Sequence, residues 1–438
     1  MKGFPMKFRR CLVALAAAGI FSAPALAAVE DSAIDNAVEQ YKTLFNDSRE
    51  AGERPDMAAR GGFVDKAVAK IPLNELSLDQ IAELSQKLPV AFSPKTGPAL
   101  DALLQKDSAD NDANGARAAV LRLELIPLSA DPKTILAAVK AALKHPAIGQ
   151  AVSDGYAGDL FSAAGNLGAG ALEEIRPDLV KLADSVRSDA PAGFFVRAAD
   201  FQLSIAHALK SEDLKLFSPL REKFAAAAAD KLKSQLSKSD QVAVSRSLDE
   251  LNGAFARGEL IGFAAPPINF IWFNDPSDPK KQIKSLAELK GKVVVLDFWA
   301  TWCGPCVATF PRVKALQRYY RGFDVVVLGV TSLQGFVDTK EGRVQTGADA
   351  QKELQLLAQF EKDHEIVWPI AVSKQDVFNP EYGVSGIPDV VIIDANGTVR
   401  YAGLHPAQPL EEKTAIIDQL LAEAKLPLPA QLLLSKPQ

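Results

Sequence analysis

Cys303 and Cys306 stand three positions apart in the stretch Asp297-Phe298-Trp299-Ala300-Thr301-Trp302-Cys303-Gly304-Pro305-Cys306. A pair at this spacing can exchange disulfides when the first sulfur is held as thiolate, the attacking form. Residues 293–299 are a near-continuous apolar run, as expected of a strand buried on both faces. Residues 307–320 read as a helix, so the cysteines sit where a strand ends and a helix begins. Free N–H groups and the positive end of the helix dipole there favour a thiolate at Cys303. Cys306 lies about one turn further along the same face, within reach of the Cys303 sulfur to resolve a mixed disulfide. Gly304 and Pro305 suit the tight start of the helix, since the missing N–H of proline costs nothing in the first turn.

Other uses of the pair fit less well. A zinc site would need a second cysteine pair or a suitably spaced histidine pair, and neither is present. An inert disulfide would close a loop too small to restrict the unfolded chain much. A peroxidatic cysteine would stand in a Pro-x-x-x-Thr/Ser-x-x-Cys context, and residues 298–302 do not supply the proline.

The elements that position the pair read as an α/β segment. Gly262-Phe263-Ala264-Ala265-Pro266-Pro267 breaks the helical texture that precedes it and marks a domain boundary. Candidate strands follow at 268–273, 293–299, 325–330, 390–393 and 399–401, the last two flanking the hairpin signal Asn396-Gly397. Helical stretches at 307–320, 350–364 and 411–424 alternate with them, which predicts an α/β domain with a central mixed sheet over 262–425. Residues 331–347, polar and glycine-bearing, read as a surface loop beside the active face. Residues 426–438 read as a tail.

Residues 28–258 read as helices joined by short turns, with helical apolar spacing over 33–44 and 78–88 and further stretches at 132–143, 192–209 and 249–256. No repeat of tetratricopeptide, ankyrin or armadillo type is visible, which leaves an all-α bundle or an irregular solenoid. His145 and His207 are expected to be packed or surface residues, and no catalytic constellation stands out in this half.

The first residues carry Lys2, Lys7, Arg9 and Arg10, then a short apolar run and Ala25-Leu26-Ala27. This is the pattern of a secretory signal peptide cleaved after residue 27; the run is shorter than the ~20 residues a spanning helix needs. Cleavage would remove Cys11 and four cationic side chains, taking the formal net charge from -5 to about -9. The mature chain would then hold no transmembrane segment and two cysteines, too few for a structural disulfide framework. A length of 438 residues suggests two or three domains. With 48% hydrophobic and 24% charged residues the chain is globular rather than disordered, and no basic run offers a nucleic-acid footprint.

Residues 293–306 resemble thioredoxin almost position by position, and the whole of about 262–425 resembles the TlpA/ResA branch of periplasmic thioredoxin-like proteins. The resemblance does not extend to the helical half. It implies that Asp297 is the buried aspartate that shuttles the proton of the second cysteine, and that Pro311 kinks the active-site helix. It also implies that Ile387-Pro388 is a cis-proline loop whose backbone pairs with a substrate chain, with Trp302 as an apolar rim beside Cys303 and with Gly304 and Pro305 also at the substrate-binding face. Trp299 is expected to be mostly core. Three departures stand out: Thr309 where relatives carry glutamate, Asp389 after the cis-proline where thioredoxin has threonine, and no lysine in residues 325–330 to face Asp297.

The leading functional expectation is an exported, periplasmic thiol–disulfide oxidoreductase that reduces protein disulfides, with Cys303 attacking and Cys306 resolving. The Gly-Pro between the cysteines resembles reducing thioredoxins, whereas strong oxidases carry Pro-His. No cofactor is expected beyond the redox-active Cys303–Cys306 disulfide, and no metal. Expected partners are cysteine-containing proteins and, by the resemblance, a membrane thiol-electron donor. The alternatives are a disulfide oxidase or isomerase, or a helical scaffold with an accessory redox domain.

Overall fold

The structure is a computed structural model that describes residues 29–127 and 130–429. The expected signal peptide and all but the first residues of the expected tail lie outside the described residues. The described residues form two compact units, divided between residues 103 and 104. In the first, helix Asp31–Glu50 packs against Met57–Ala67 and Leu78–Lys87. Ser77 starts the last of these with a capping box, its hydroxyl accepting the Gln80 N–H at 3.2 Å while Gln80 accepts the Ser77 N–H at 3.1 Å. Ile34, Val64, Ile81 and Leu84 are buried.

The second unit begins with helices and ends with a sheet. Phe161 in helix Gly158–Gly165 lies at the centre of an aromatic cluster, with ring centroids 6.0 Å from Phe194, 5.5 Å from Phe201 and 5.0 Å from Phe224. Phe194 and Phe201 come from helix Ala192–Ala208, and Phe224 from Ser218–Lys231. Edge-on aromatic packing of this kind adds to simple burial. The apolar cluster continues without a polar break through Leu251, Phe255 and Ile268 to Leu296, Phe298 and Val391 of the sheet. The compositional break at 262–267 therefore lies inside this unit.

Among the described residues, eight strands follow residue 269: β1 (Phe270–Asn274), β2 (Val293–Phe298), β3 (Val325–Ser332), β4 (Phe336–Thr339), β5 (Gly342–Gln345), β6 (Ile370–Ser373), β7 (Asp389–Ile393) and β8 (Val399–Leu404). Six form one sheet in the order β1-β6-β3-β2-β7-β8, and β4 and β5 pair separately. β2, β3 and β6 run parallel, while β1, β7 and β8 are antiparallel to their neighbours, so the sheet is mixed. β2 is buried along its whole length, as its apolar run predicts. Val294, Leu296 and Phe298 face the helical core, while Val293 and Val295 face a second cluster built with helices Gly304–Tyr319, Ala350–Asp363 and Leu410–Glu423. The N-terminal region is thus helical and the C-terminal region is a thioredoxin-like α/β fold.

The expected loop at 331–347 is largely ordered strand. β3 runs on to Ser332, and β4 and β5 form a hairpin in register from Phe336 opposite Gln345 to Thr339 opposite Gly342. Its base is held by the buried Glu353, whose carboxylate accepts the Gln334 N–H at 2.6 Å, the Gly335 N–H at 3.0 Å and the Thr346 hydroxyl at 2.7 Å. Polar ties of this sort leave no apolar alternation to read in sequence.

Helix Lys238–Asn252 starts well before the expected 249–256, at Ser237, whose hydroxyl accepts the Asp240 N–H at 3.1 Å. Its C-terminal Gly253 lies against the loop before Pro388. A Cβ on Gly253 would stand 2.0 Å from the Pro380 carbonyl oxygen, which is backbone and cannot simply turn away. Gly253→Ala is expected to lower the unfolding free energy by about 1–3 kcal/mol, the usual cost of overpacking, as read from urea denaturation.

Candidate active site

Cys303 occupies the N-cap of helix Gly304–Tyr319, and its sulfur accepts the Cys306 N–H at 3.1 Å. The two cysteines are joined as a disulfide. Helix formation follows from the local sequence: Gly304 and Pro305 fill the first turn, and Pro311 lies within the helix as expected. The surroundings separate the two sulfurs by role. Both cysteines are buried in one cluster, Cys303 at 3% and Cys306 at 1% exposure, but Cys303 adjoins the exposed Gly304 and Pro305 at the helix start, whereas Cys306 lies a turn further in. Thr309 is buried and donates its hydroxyl to the Cys306 carbonyl at 2.7 Å. It therefore acts as part of the helix rather than as a titrating neighbour.

The Ile387–Pro388 bond is cis. The Ile387 carbonyl oxygen lies 3.7 Å from the Cys303 sulfur, so the loop that the sequence singles out does meet the cysteines. Trp302 is half-buried; its indole N–H donates to Gln334 at 3.0 Å, and its ring lies 6.2 Å from Phe378. The Asp338 N–H donates to the Thr301 hydroxyl at 3.2 Å. The β4–β5 hairpin thus borders the Thr301–Trp302 turn. Trp299 is core, stacked 5.6 Å from Phe360 and edge-on to Phe310 at 5.4 Å.

Asp297 is buried, and by strand alternation it shares the face of β2 that carries Val293 and Val295 with the cysteines' cluster. Its Oδ1 has no hydrogen-bond partner. Burial pushes its carboxyl up to about 7, opposed by the positive charge of Lys413. Lys413, which sequence reading missed, supplies that charge. It belongs to helix Leu410–Glu423, is itself buried, and donates to the Pro406 carbonyl. The cation absent from residues 325–330 is therefore supplied from the last helix.

Asp389 stands next to this centre at the start of β7, opposite Phe298 in register. Burial also pushes it up to about 7, against a hydrogen bond from the Gly403 N–H, and the Asp297 charge adds to the rise. Its carboxyl is engaged by β8. His145 is held by hydrogen bonds, and His207 and His364 lie against aromatic rings. His145 accepts the Ala147 N–H at Nδ1 and pairs through Nε2 with the Asp110 carbonyl; the His207 ring lies tilted 4.5 Å from Phe255, and that of His364 4.1 Å from Phe360. Among the described residues, no group of three or more His, Cys, Asp or Glu side chains could hold a metal ion. No helix of theirs is long and apolar enough to cross a membrane.

A disulfide at a helix N-cap, a cis-proline loop against its first sulfur and a buried carboxyl on the adjoining strand define a thioredoxin-fold thiol–disulfide oxidoreductase. The family model and the sequence relatives agree. The Redoxin family model matches residues 264–421. The thioredoxin-like protein YneN of Bacillus subtilis is 30% identical over 132 residues, which cover 30% of this chain and 67% of that one. The thiol-disulfide oxidoreductase ResA of Bacillus cereus is 26% identical over 162 residues, covering 36% of this chain and 81% of that one. Among solved structures, the thioredoxin domain of a thiol-disulfide oxidoreductase from Bacteroides vulgatus is similar at 20% identity and a TM-score of 0.27, over 36% of this chain and 97% of that one. Through its C-terminal region, the chain belongs to the TlpA/ResA-type thioredoxin-like proteins.

Proposed function

We propose that this protein is an exported protein-disulfide reductase. The observation that carries the reading is the Cys303 sulfur at the helix N-cap, 3.1 Å from the Cys306 N–H, with Cys306 buried behind it. A thiolate at that position is stabilised by backbone N–H groups and the helix dipole. It displaces one sulfur of a substrate disulfide, forming a mixed disulfide with Cys303 and releasing one substrate thiolate, which takes up a proton. Cys306 gives its proton to the Asp297 carboxylate and attacks the Cys303 sulfur. The second substrate thiolate leaves, the substrate has gained two electrons, and the Cys303–Cys306 disulfide remains. Ile387 offers its backbone to the substrate chain as a short strand-like contact, with Trp302, Gly304, Pro305 and Pro388 around it.

The Gly-Pro between the cysteines supports the reducing direction, and the pattern of residues 1–27 supports export to a periplasm. A reductase there must be recharged by a dithiol donor, which by family analogy sits in the membrane. The redox-active disulfide is the only prosthetic element the reaction requires. The test is the equilibrium reduction potential of the Cys303–Cys306 pair against a dithiol buffer. A value below about -230 mV supports the reductase. A value above about -180 mV overturns it in favour of an oxidase or isomerase.

A further inference from the structure

Arg246 lies in helix Lys238–Asn252, outside the residues that match the family. Its guanidinium donates to the Ser385 carbonyl at 2.7 Å and sits 5.0 Å from the centre of the Phe378 ring, the same ring that neighbours Trp302. Its Nε is held by Glu250 at 3.0 Å. The following residues grip the same loop. The Ala254 N–H donates to the Glu381 carboxylate at 3.0 Å. Gly253 abuts the Pro380 carbonyl, and the Phe255 ring fills the space left by the missing side chain of Gly383, whose φ is +72°. Residues 380–385 are thus tied along their length to the helical region. Two residues beyond Ser385 comes Ile387, whose carbonyl faces the Cys303 sulfur.

We infer that Arg246 is a positioning residue for substrate binding: by holding the Ser385 carbonyl and the Phe378 ring, it fixes the loop whose Ile387 backbone meets the substrate chain. The helical region is then one wall of the substrate rim. The inference rests on the proposed pairing of substrate with Ile387. A charge-assisted hydrogen bond combined with stacking is a task for a planar guanidinium; a lysine ammonium cannot reproduce both. Strand-like pairing demands backbone groups held in place, since small misplacements cost much of the gain from orientation. A small disulfide has no backbone to pair and does not sense the loop.

The test uses the full mature chain with Arg246→Ala and Arg246→Lys. Turnover is measured with a disulfide-closed peptide and with the neutral hydroxyethyl disulfide. Arg246→Ala is expected to raise KM for the peptide about tenfold while kcat and the hydroxyethyl disulfide rate stay within about twofold, with partial recovery in Arg246→Lys. An unchanged peptide KM, or an equal loss with both disulfides, overturns the inference. Amide hydrogen exchange over residues 384–389 reads the same positioning without turnover. Exchange should quicken about tenfold or more in Arg246→Ala, and unchanged protection overturns the inference. Failure of the parent reading looks different: the unsubstituted protein itself would not turn over the peptide, while the exchange comparison would still decide on Arg246.

Discussion

A Cys306→Ser variant is expected to accumulate a mixed disulfide through Cys303, while Cys303→Ser loses both the adduct and turnover, each falling to the uncatalysed background. The asymmetry follows from place in the helix. Cys303 caps it, with exposed Gly304 and Pro305 alongside, and its sulfur is the one that the cis-proline loop meets. Cys306 lies one turn in, away from the exposed helix start, and the sulfur within its reach is that of Cys303, to which it is bonded. Removing it leaves the first exchange intact and deletes the second, because a mixed disulfide is broken only by another thiolate. Non-reducing electrophoresis and intact mass of the protein after exposure to a disulfide-bonded substrate read the adduct directly. An adduct formed by Cys303→Ser and not by Cys306→Ser would reverse the assignment of attacking and resolving sulfurs.

Much of this centre is visible in the sequence because its determinants are local. β2 is a single apolar run, the cysteines and Pro305 lie in one helical turn, and Ile387-Pro388 is a contiguous pair. Helices with strong apolar periodicity are equally legible: Pro132–Leu143 is found at the expected residues, and Ala350–Asp363 ends one residue short of them. β6 escapes notice because Ile370–Ser373 is only four residues long and follows a proline at 369. The hairpin at 336–345 escapes because Glu353, a residue in a later helix, organises its base through hydrogen bonds. Lys413 and Arg246 are missed for a related reason. Each reaches its target across a long stretch of chain, and each sits among ordinary helix-surface residues with nothing nearby in sequence to distinguish it. Contacts of this kind belong to the packing of the helices and leave no local pattern.

Asp297→Asn is expected to slow resolution of the mixed disulfide by about 10²-fold at pH 7 and at the same time to stabilise the fold at neutral pH. Only the carboxylate can accept the Cys306 proton. With the Asp297 carboxyl pushed up to about 7 by burial, the resolution rate should climb as pH rises through that value. The variant should lose that limb of the profile. Lys413 opposes the rise, so Lys413→Met is expected to move the midpoint to higher pH. The stability effect has a definite sign. The folded protein keeps the Asp297 proton up to about 7, whereas the unfolded chain releases it near the ordinary aspartate value. The stabilisation from that retained proton is complete below about pH 4 and is lost as pH rises through about 7, by roughly 2–4 kcal/mol. An asparagine has no charge to bury, so the stability gap between Asp297→Asn and the unsubstituted protein should open between about pH 4 and 7 and stay constant above that. Single-turnover resolution against pH and urea denaturation at both ends of that range check the two halves. If the variant were stabilised as expected but kept its kinetic limb, Asp297 would be a buried acid without a role in proton transfer. Asp389, the neighbouring carboxyl that also sits near 7, would then be the group to take the Cys306 proton.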